Sequence, residues 1–316
     1  MEPTSLTAVS RSQGNNTALK AGDVAVPGFS LTWTEVDPLV AAFRRMVRAT
    51  EFDVCEMAIT TYLCAKEHGK PFTALPVFLV RDFHHAAISV RAGSGIASPK
   101  DLEGTRVGVN RGYTVTTGVW ARGILAEQYG VDLASITWAL SGDEHVAEYR
   151  PPANVVPAGD DGSLIDLLRA GDLSAAIGVS SEDPDIVPLI PEPEEAAFTA
   201  LAADGLYPIN HLVVVRDELL AEHPHLAARL FEAFRDSKER YVSALRAGTL
   251  GTLTGADRTL RRVMSILGTD DPLPYGIEPN RSVLDRLVRH ATEQRILTRA
   301  PALDDLFAAG TLDLIG

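Results

Sequence analysis

The chain has 316 residues, 46 % of them hydrophobic and 22 % charged, which is ordinary globular composition and long enough for one large domain or two lobes. Its formal net charge is −13, from 29 basic and 42 acidic residues, so it offers no broad basic surface to nucleic acid, although a local basic pocket for a small anion stays open. No apolar run approaches a membrane span and no CxxC or HExxH spacing appears, so neither membrane contact, nor a metal, nor a cofactor is expected.

The start, Met1-Glu2-Pro3-Thr4, has no basic n-region or apolar h-region, which makes a cytoplasmic location the expectation. Ser5 to Ser10 reads as a strand and Arg11 to Asn16 as a polar loop. Val40 to Val47 has helical spacing, with Arg44 and Arg45 on its polar face. Phe52-Asp53-Val54 reads as a short strand and Cys55 to Lys66 as a helix, with Glu56 in its first turn. Ideal helical rise would put Cys55 and Cys64 roughly 13 Å apart, too far for a disulfide, so both read as core thiols. Phe72 to Phe78 is an extended apolar run punctuated by Pro76. Arg81-Asp82-Phe83-His84-His85 follows, ahead of a strand ending at Val90.

Ser98-Pro99-Lys100-Asp101-Leu102 has the signature of a capped short helix. Arg106 to Val109 reads as a strand, and Arg111 to Thr117 leads into a helix through Trp120 and Gln128. Strands are expected at Ile136–Leu140 and at Ala175–Val179, the latter ending at Ser180-Ser181, with a helix at Ser163–Arg169 between them. Asp183 to Glu195 reads as a surface connection. Leu212 to Val215 is a strand, after which helices follow at Pro224–Arg246, Asp257–Leu267 and Asn280–Leu297.

Alternating strands and helices signal α/β architecture. Strand–helix units before residue 90 and again between 105 and 180 predict two lobes joined by two crossing strands. Lobe 1 would hold residues 1–88 and 213–316, and lobe 2 residues 89–212. The ligand cleft would lie between them, with His84, His85 and His211 at the hinge. Such lobes are expected to close on a ligand. Nothing in the pattern fixes an oligomeric state.

Several segments resemble the 4,5-dihydroxyphthalate decarboxylase family. Phe52-Asp53-Val54-Cys55-Glu56-Met57 is similar to its "FDVSEMS". Leu75-Pro76-Val77-Phe78 with Arg81 to His85 is similar to "IPVF…R-x-F-R-H", and Asp101 to Val109 to "DLKGKRVGV". Trp120 to Leu125, Tyr207-Pro208-Ile209-Asn210-His211 and Pro274 to Arg281 resemble "W-x-RG-x-L", "YPI-x-H" and "PYGIE-x-NR". The resemblance spans nearly the whole chain. It implies a two-lobed fold of the type II periplasmic-binding-protein kind, related to thiamine-precursor and sulfonate binding proteins. It also implies cofactor-free decarboxylation of a hydroxylated aromatic carboxylic acid, the small aromatic carboxylate being the partner. His84 replaces the family's arginine, Asn110 to Thr116 replaces "P-E-Y-Q-x-T", and Arg11-Ser12-Gln13 replaces "Y-D-R".

Decarboxylation of an aromatic acid needs a proton donor at the ring carbon and positive groups for carboxylates. His85 is the first candidate donor, followed by His84 and His211, with Glu56 to orient a histidine or accept a phenol proton. Arg81 and Arg111 are candidates for carboxylate capture. Thr114, Thr116 and Thr117 open a helix, where free N–H groups attract anions. Arg11 and Ser12 lie in the first loop, and Ser180 ends a strand facing the cleft. A solute-binding protein for a small aromatic or sulfonated anion is the alternative, and an enzyme acting on a chorismate-derived acid a third reading. No G-x-S-x-G or Gly-rich phosphate loop is present.

Overall fold

The structure is a computed structural model that describes residues 2–159 and 162–316. Four strands begin the fold: β1 (Thr4–Val9), β2 (Phe29–Trp33), β3 (Val54–Ala58) and β4 (Phe72–Arg81). Six more form a second sheet: β5 (Ile88–Arg91), β6 (Arg106–Val109), β7 (Thr137–Leu140), β8 (Val155–Pro157), β9 (Ala175–Ile177) and β10 (Ile186–Pro188). The last strand, β11 (Ile209–Arg216), returns to the first sheet, whose order is β2-β1-β3-β11-β4. The second sheet has the order β10-β5-β9-β6-β7-β8.

β1 runs parallel to both neighbours, β2 and β3, while β11 is antiparallel to β3 and β4. In the second sheet β6 is parallel to β7 and β9, and β5 is antiparallel to β9 and β10. Each sheet therefore has a point where the chain turns from one side of a parallel strand to the other: at β1 in the first and at β6 in the second. Ligands in open α/β sheets bind outside the carboxyl ends of strands at such points.

The helices are α1 (Thr17–Lys20), α2 (Val40–Ala49), α3 (Ile59–Glu67), α4 (Thr116–Tyr129), α5 (Leu164–Ala170), α6 (Pro193–Asp204), α7 (Asp217–Glu222), α8 (Leu226–Ala247), α9 (Gly255–Leu267) and α10 (Arg281–Glu293). In α2, Ala42, Phe43, Met46 and Val47 are buried while the arginines point outward, as the helical spacing requires. None of the helices of the described residues is long and apolar enough to cross a membrane.

Three features differ from the sequence reading. Residues 54–58 are strand and the helix begins only at Ile59, because all five are buried in the middle of the sheet and a doubly covered strand lacks alternation. Glu56 is thus a strand residue, not a first-turn helix residue. β2 lies in a stretch to which the sequence reading assigns no element, and α6 begins inside the surface connection expected at Asp183–Glu195. The expected lobe borders fall inside strands, since β5 begins at Ile88 and β11 runs unbroken from Ile209; the chain changes sheet between Arg81 and Ile88, and again between Pro188 and Ile209. Pro76 is accommodated where β4 bulges: His211 pairs with Val80 and Val213 with Leu75, so β4 carries extra residues that need no ladder bond.

The two sheets are tied together by buried polar contacts, mostly along α4. Thr60 of α3 bonds the Thr114 carbonyl at 2.6 Å and the Thr116 hydroxyl at 2.7 Å. Arg122 of α4, fully buried, donates to Gln294 at 2.8 Å, and Gln294 donates back to the Val119 carbonyl at 2.9 Å. The Trp120 indole donates to the Ile209 carbonyl at 3.0 Å. His290 of α10 fills the notch left by Gly123, where a Cβ would come within 2.5 Å of its ring. Leaving such groups unpaired on separation would cost their full desolvation.

Candidate functional site

The carboxyl end of β1 and the adjacent β3 bring together a buried acid and a partly open base. Glu56 is 1 % exposed. Its Oε2 accepts from the Ser10 hydroxyl at 2.7 Å and the Arg11 backbone N–H at 3.1 Å. Its Oε1 lies 2.6 Å from His211 Nδ1 on β11 and 3.6 Å from Arg11 Nε. Asn16 completes the chain by donating to the Ser10 hydroxyl and the Arg11 carbonyl, both at 2.9 Å. Glu56 opposes Val213 and His211 opposes Ala58 across β3 and β11, so the two side chains share one face of the sheet.

Burial pushes the Glu56 carboxyl up, but the hydrogen bonds from His211 and Ser10 and the charges of His211 and Arg11 outweigh it and hold it below its ordinary value. Glu56 is therefore ionised at neutral pH, which makes the facing His211 nitrogen a donor. His211 Nε2 has no hydrogen-bond partner among the described residues and keeps partial access, with 17 % of the side chain exposed. The Phe43 ring stands edge-on to the His211 ring at 5.2 Å and tilted to that of His145 at 6.3 Å. His145 is buried, and burial together with the charges of Arg44 and Arg111 brings it down to about 4.

Arg11 also lines a cavity of about 500 Å³, with Ser12, Gln13, Arg81, Tyr207 and Tyr241 among others; neither Glu56 nor His211 is in its lining. Val80, the pairing partner of His211, is also in its wall. Arg81 is held in place by the Tyr207 carbonyl at 2.9 Å, the Pro274 carbonyl at 3.4 Å and Asn280, and its guanidinium lies over the rings of Phe78 and Tyr207. The segments Tyr207–His211 and Pro274–Arg281 thus meet at Arg81.

Of the sequence candidates, Glu56, His211 and Arg11 come together, and Arg11, Ser12 and Arg81 share the cavity. The adjacent histidines do not join them. His84 is buried against Asn210 at 2.9 Å, and His85 is fully buried with Nε2 at 3.0 Å from Gln128 near the far end of α4. Burial lowers both imidazoles. Consecutive strand residues project to opposite sides, so Asn210 carries His84 away from the side on which His211 meets Glu56.

The threonines ahead of α4 are also occupied. Glu144 accepts from the Tyr113 and Thr114 backbone N–H groups and from the Thr114 hydroxyl at 2.6 Å, so the chain's own carboxylate sits where an anion was expected. Gly112 leaves the room, since a Cβ there would lie 2.6 Å from Glu144. Thr116 is bonded to Thr60, and Thr117 packs beside Gly178. Arg111 adopts a left-handed φ of 68°, its backbone N–H on Ser141 and its residue exposed; Ser180 is exposed as well. Ser10, Asn16, Phe43 and His145 were not singled out from sequence. Ser10 could have been found as the first residue past a parallel strand at a switch point. Among the described residues no group of three or more histidines, cysteines or acids could hold a metal ion.

No family model matches the chain. A 4,5-dihydroxyphthalate decarboxylase from Comamonas testosteroni is 30 % identical over 308 residues, covering 92 % of this chain and 92 % of that protein. Among solved structures, the desulfurization enzyme DSZB matches with a TM-score of 0.53 at 16 % identity, covering 96 % of both chains. The ligand-binding component of an ABC-type import system from Staphylococcus aureus, with zinc bound, matches with a TM-score of 0.51 at 13 % identity, covering 97 % of this chain and 96 % of that one. The two-lobed α/β fold is that of periplasmic binding proteins. It hosts both an enzyme and a transport component, so the fold leaves the function to be argued from the site.

Proposed function

Since the chain belongs to the 4,5-dihydroxyphthalate decarboxylase family, we propose that it removes CO₂ from a hydroxylated aromatic carboxylic acid of the 4,5-dihydroxyphthalate kind. The observation that carries this reading is the buried Glu56 fixed to Nδ1 of a partly open His211.

In 4,5-dihydroxyphthalate each carboxyl-bearing carbon has a hydroxyl para to it. Protonation of that carbon gives a dienone-like cation stabilised by the para oxygen. The C–C bond to the carboxylate then breaks, its electrons restore the aromatic ring, and CO₂ leaves. The proton gained by the carbon comes from His211 Nε2, and neutral imidazole is left. Glu56 orients the ring so that Nε2 faces away from the acid, and Ser10 and the Arg11 N–H hold Glu56 in turn. A positioned general acid contributes roughly 10²–10⁴ in rate.

The test is incubation of the protein with 4,5-dihydroxyphthalate while CO₂ and 3,4-dihydroxybenzoate are measured. Equimolar appearance of both supports the reading. Tight binding of the diacid without CO₂ would replace it with a solute-binding role.

A further inference from the structure

The cavity lined by Arg11 collects hydrogen-bond donors that have no partner among the described residues. Arg81 uses both terminal nitrogens on Tyr207, Pro274 and Asn280, while its Nε is buried without a partner. Gln13 Nε2 is likewise buried without a partner. Arg11, whose side chain is 49 % exposed, reaches the same space, its Nε lying 3.6 Å from Glu56. Among the described residues no carboxylate forms an ion pair with Arg81. Asp271, the nearest acid to influence it, is taken by the buried Lys238, and Asp82 on the cavity wall accepts from the Phe83 N–H. Burial of the unneutralised Arg81 guanidinium lowers its pKa to about 10.

Buried donors without acceptors carry a full desolvation cost, which a bound acceptor would relieve. Asn15 Oδ1 on the same wall is an unpaired acceptor, but the unpaired donors outnumber it and two of them are cationic, which favours an anion, and a carboxylate has the lone pairs to meet several at once. We infer that the space between Arg11, Gln13 and Arg81 is a carboxylate subsite that holds the retained acid group of an aromatic dicarboxylate. The inference rests on the proposed reaction for the identity of the substrate. It adds which part of the substrate is held where. Val80, the pairing partner of His211, shares the cavity wall with these donors.

The experiment uses phthalate and benzoate, which lack the hydroxyls that decarboxylation needs, so its outcome is independent of turnover. Calorimetric titration of the wild type should show phthalate binding at least about tenfold more tightly than benzoate, the value of one hydrogen bond to a charged group. Gln13→Leu and Arg11→Met should each remove about tenfold from phthalate affinity; neither change disturbs the contacts that anchor Arg81 to Tyr207 and Asn280. Equal binding of the two acids, no phthalate binding, or full phthalate affinity in both Gln13→Leu and Arg11→Met would overturn the inference. Selective phthalate binding in a protein that releases no CO₂ would keep the subsite and reject only the reaction.

Discussion

Glu56 Oε1 lies 2.6 Å from His211 Nδ1, joining a fully covered carboxylate on one strand to a partly open imidazole on the next. The acid is fixed by Ser10 and the Arg11 N–H, so the imidazole it holds has one nitrogen committed and the other free. A core polar pair would bury both nitrogens. This one leaves Nε2 without a partner among the described residues, while Arg11, which reaches Glu56, lines a cavity that also holds Arg81.

Glu56→Gln keeps the shape of the acid and removes its charge. The expected result is a fall in kcat of about 10²–10³ with KM within a few fold, because the carboxylate that fixes the His211 ring is lost while the binding groups stay in place. Steady-state kinetics, with circular dichroism to confirm the fold, checks this. Unchanged kcat would remove Glu56 from the mechanism.

His145 gives a stability signature in acid. Its pKa is about 4 when folded and near 6.5 when unfolded, so the unfolded chain binds the proton first. The stabilisation is fully present above pH 6.5 and is lost as pH falls from there through about 4. The charges facing it are Arg44, Arg48 and Arg111, which lower its pKa further, and Asp143, which opposes them. Urea denaturation at pH 7 and pH 5 should show the wild type losing about 2 kcal/mol more than His145→Phe over that interval. Parallel losses in the two proteins would refute the assignment.

The lobes are expected to stay together on binding. Two-lobed architecture suggests hinge closure, yet Thr60 to Thr114 and Thr116, Arg122 to Gln294 and Trp120 to Ile209 already span the sheets with buried hydrogen bonds. Small-angle scattering with saturating phthalate should match that of the free protein. Contraction on binding would show that these ties break.

His85→Ala is expected to act on stability. The side chain is fully buried and bonded to Gln128, so its removal should cost about 2–4 kcal/mol from the cavity and the lost bond while kcat stays within a few fold. A hundredfold loss of kcat in a protein of unchanged stability would return the proton donor to His85.

Much of this was legible in the sequence. The strand–helix order gave two lobes, and Arg11, Ser12, Arg81, Glu56 and His211 were all named before their positions were known. What escaped detection had physical causes. β2 spans only Phe29–Trp33, in a stretch to which the sequence reading assigns no element. Without it β1 has one neighbour, and the switch point that marks Ser10 and Arg11 disappears. The wholly buried run Val54–Ala58 resembles a helix start as much as a strand, which misplaced Glu56. The adjacent histidines looked catalytic because spacing carries no sign of which side a residue faces. Glu144 lies 30 residues from the Thr114 donors it occupies, a pairing that only the fold reveals.

The most direct test runs the reaction in D₂O. Wild-type protein given 4,5-dihydroxyphthalate should release CO₂ and one equivalent of 3,4-dihydroxybenzoate carrying a single deuterium at the former carboxyl carbon. His211→Ala should still bind the diacid but lose at least about 10² in that rate. Undiminished CO₂ release by His211→Ala would contradict the assignment of His211 as the proton donor, and no CO₂ from the wild type would contradict the reaction itself.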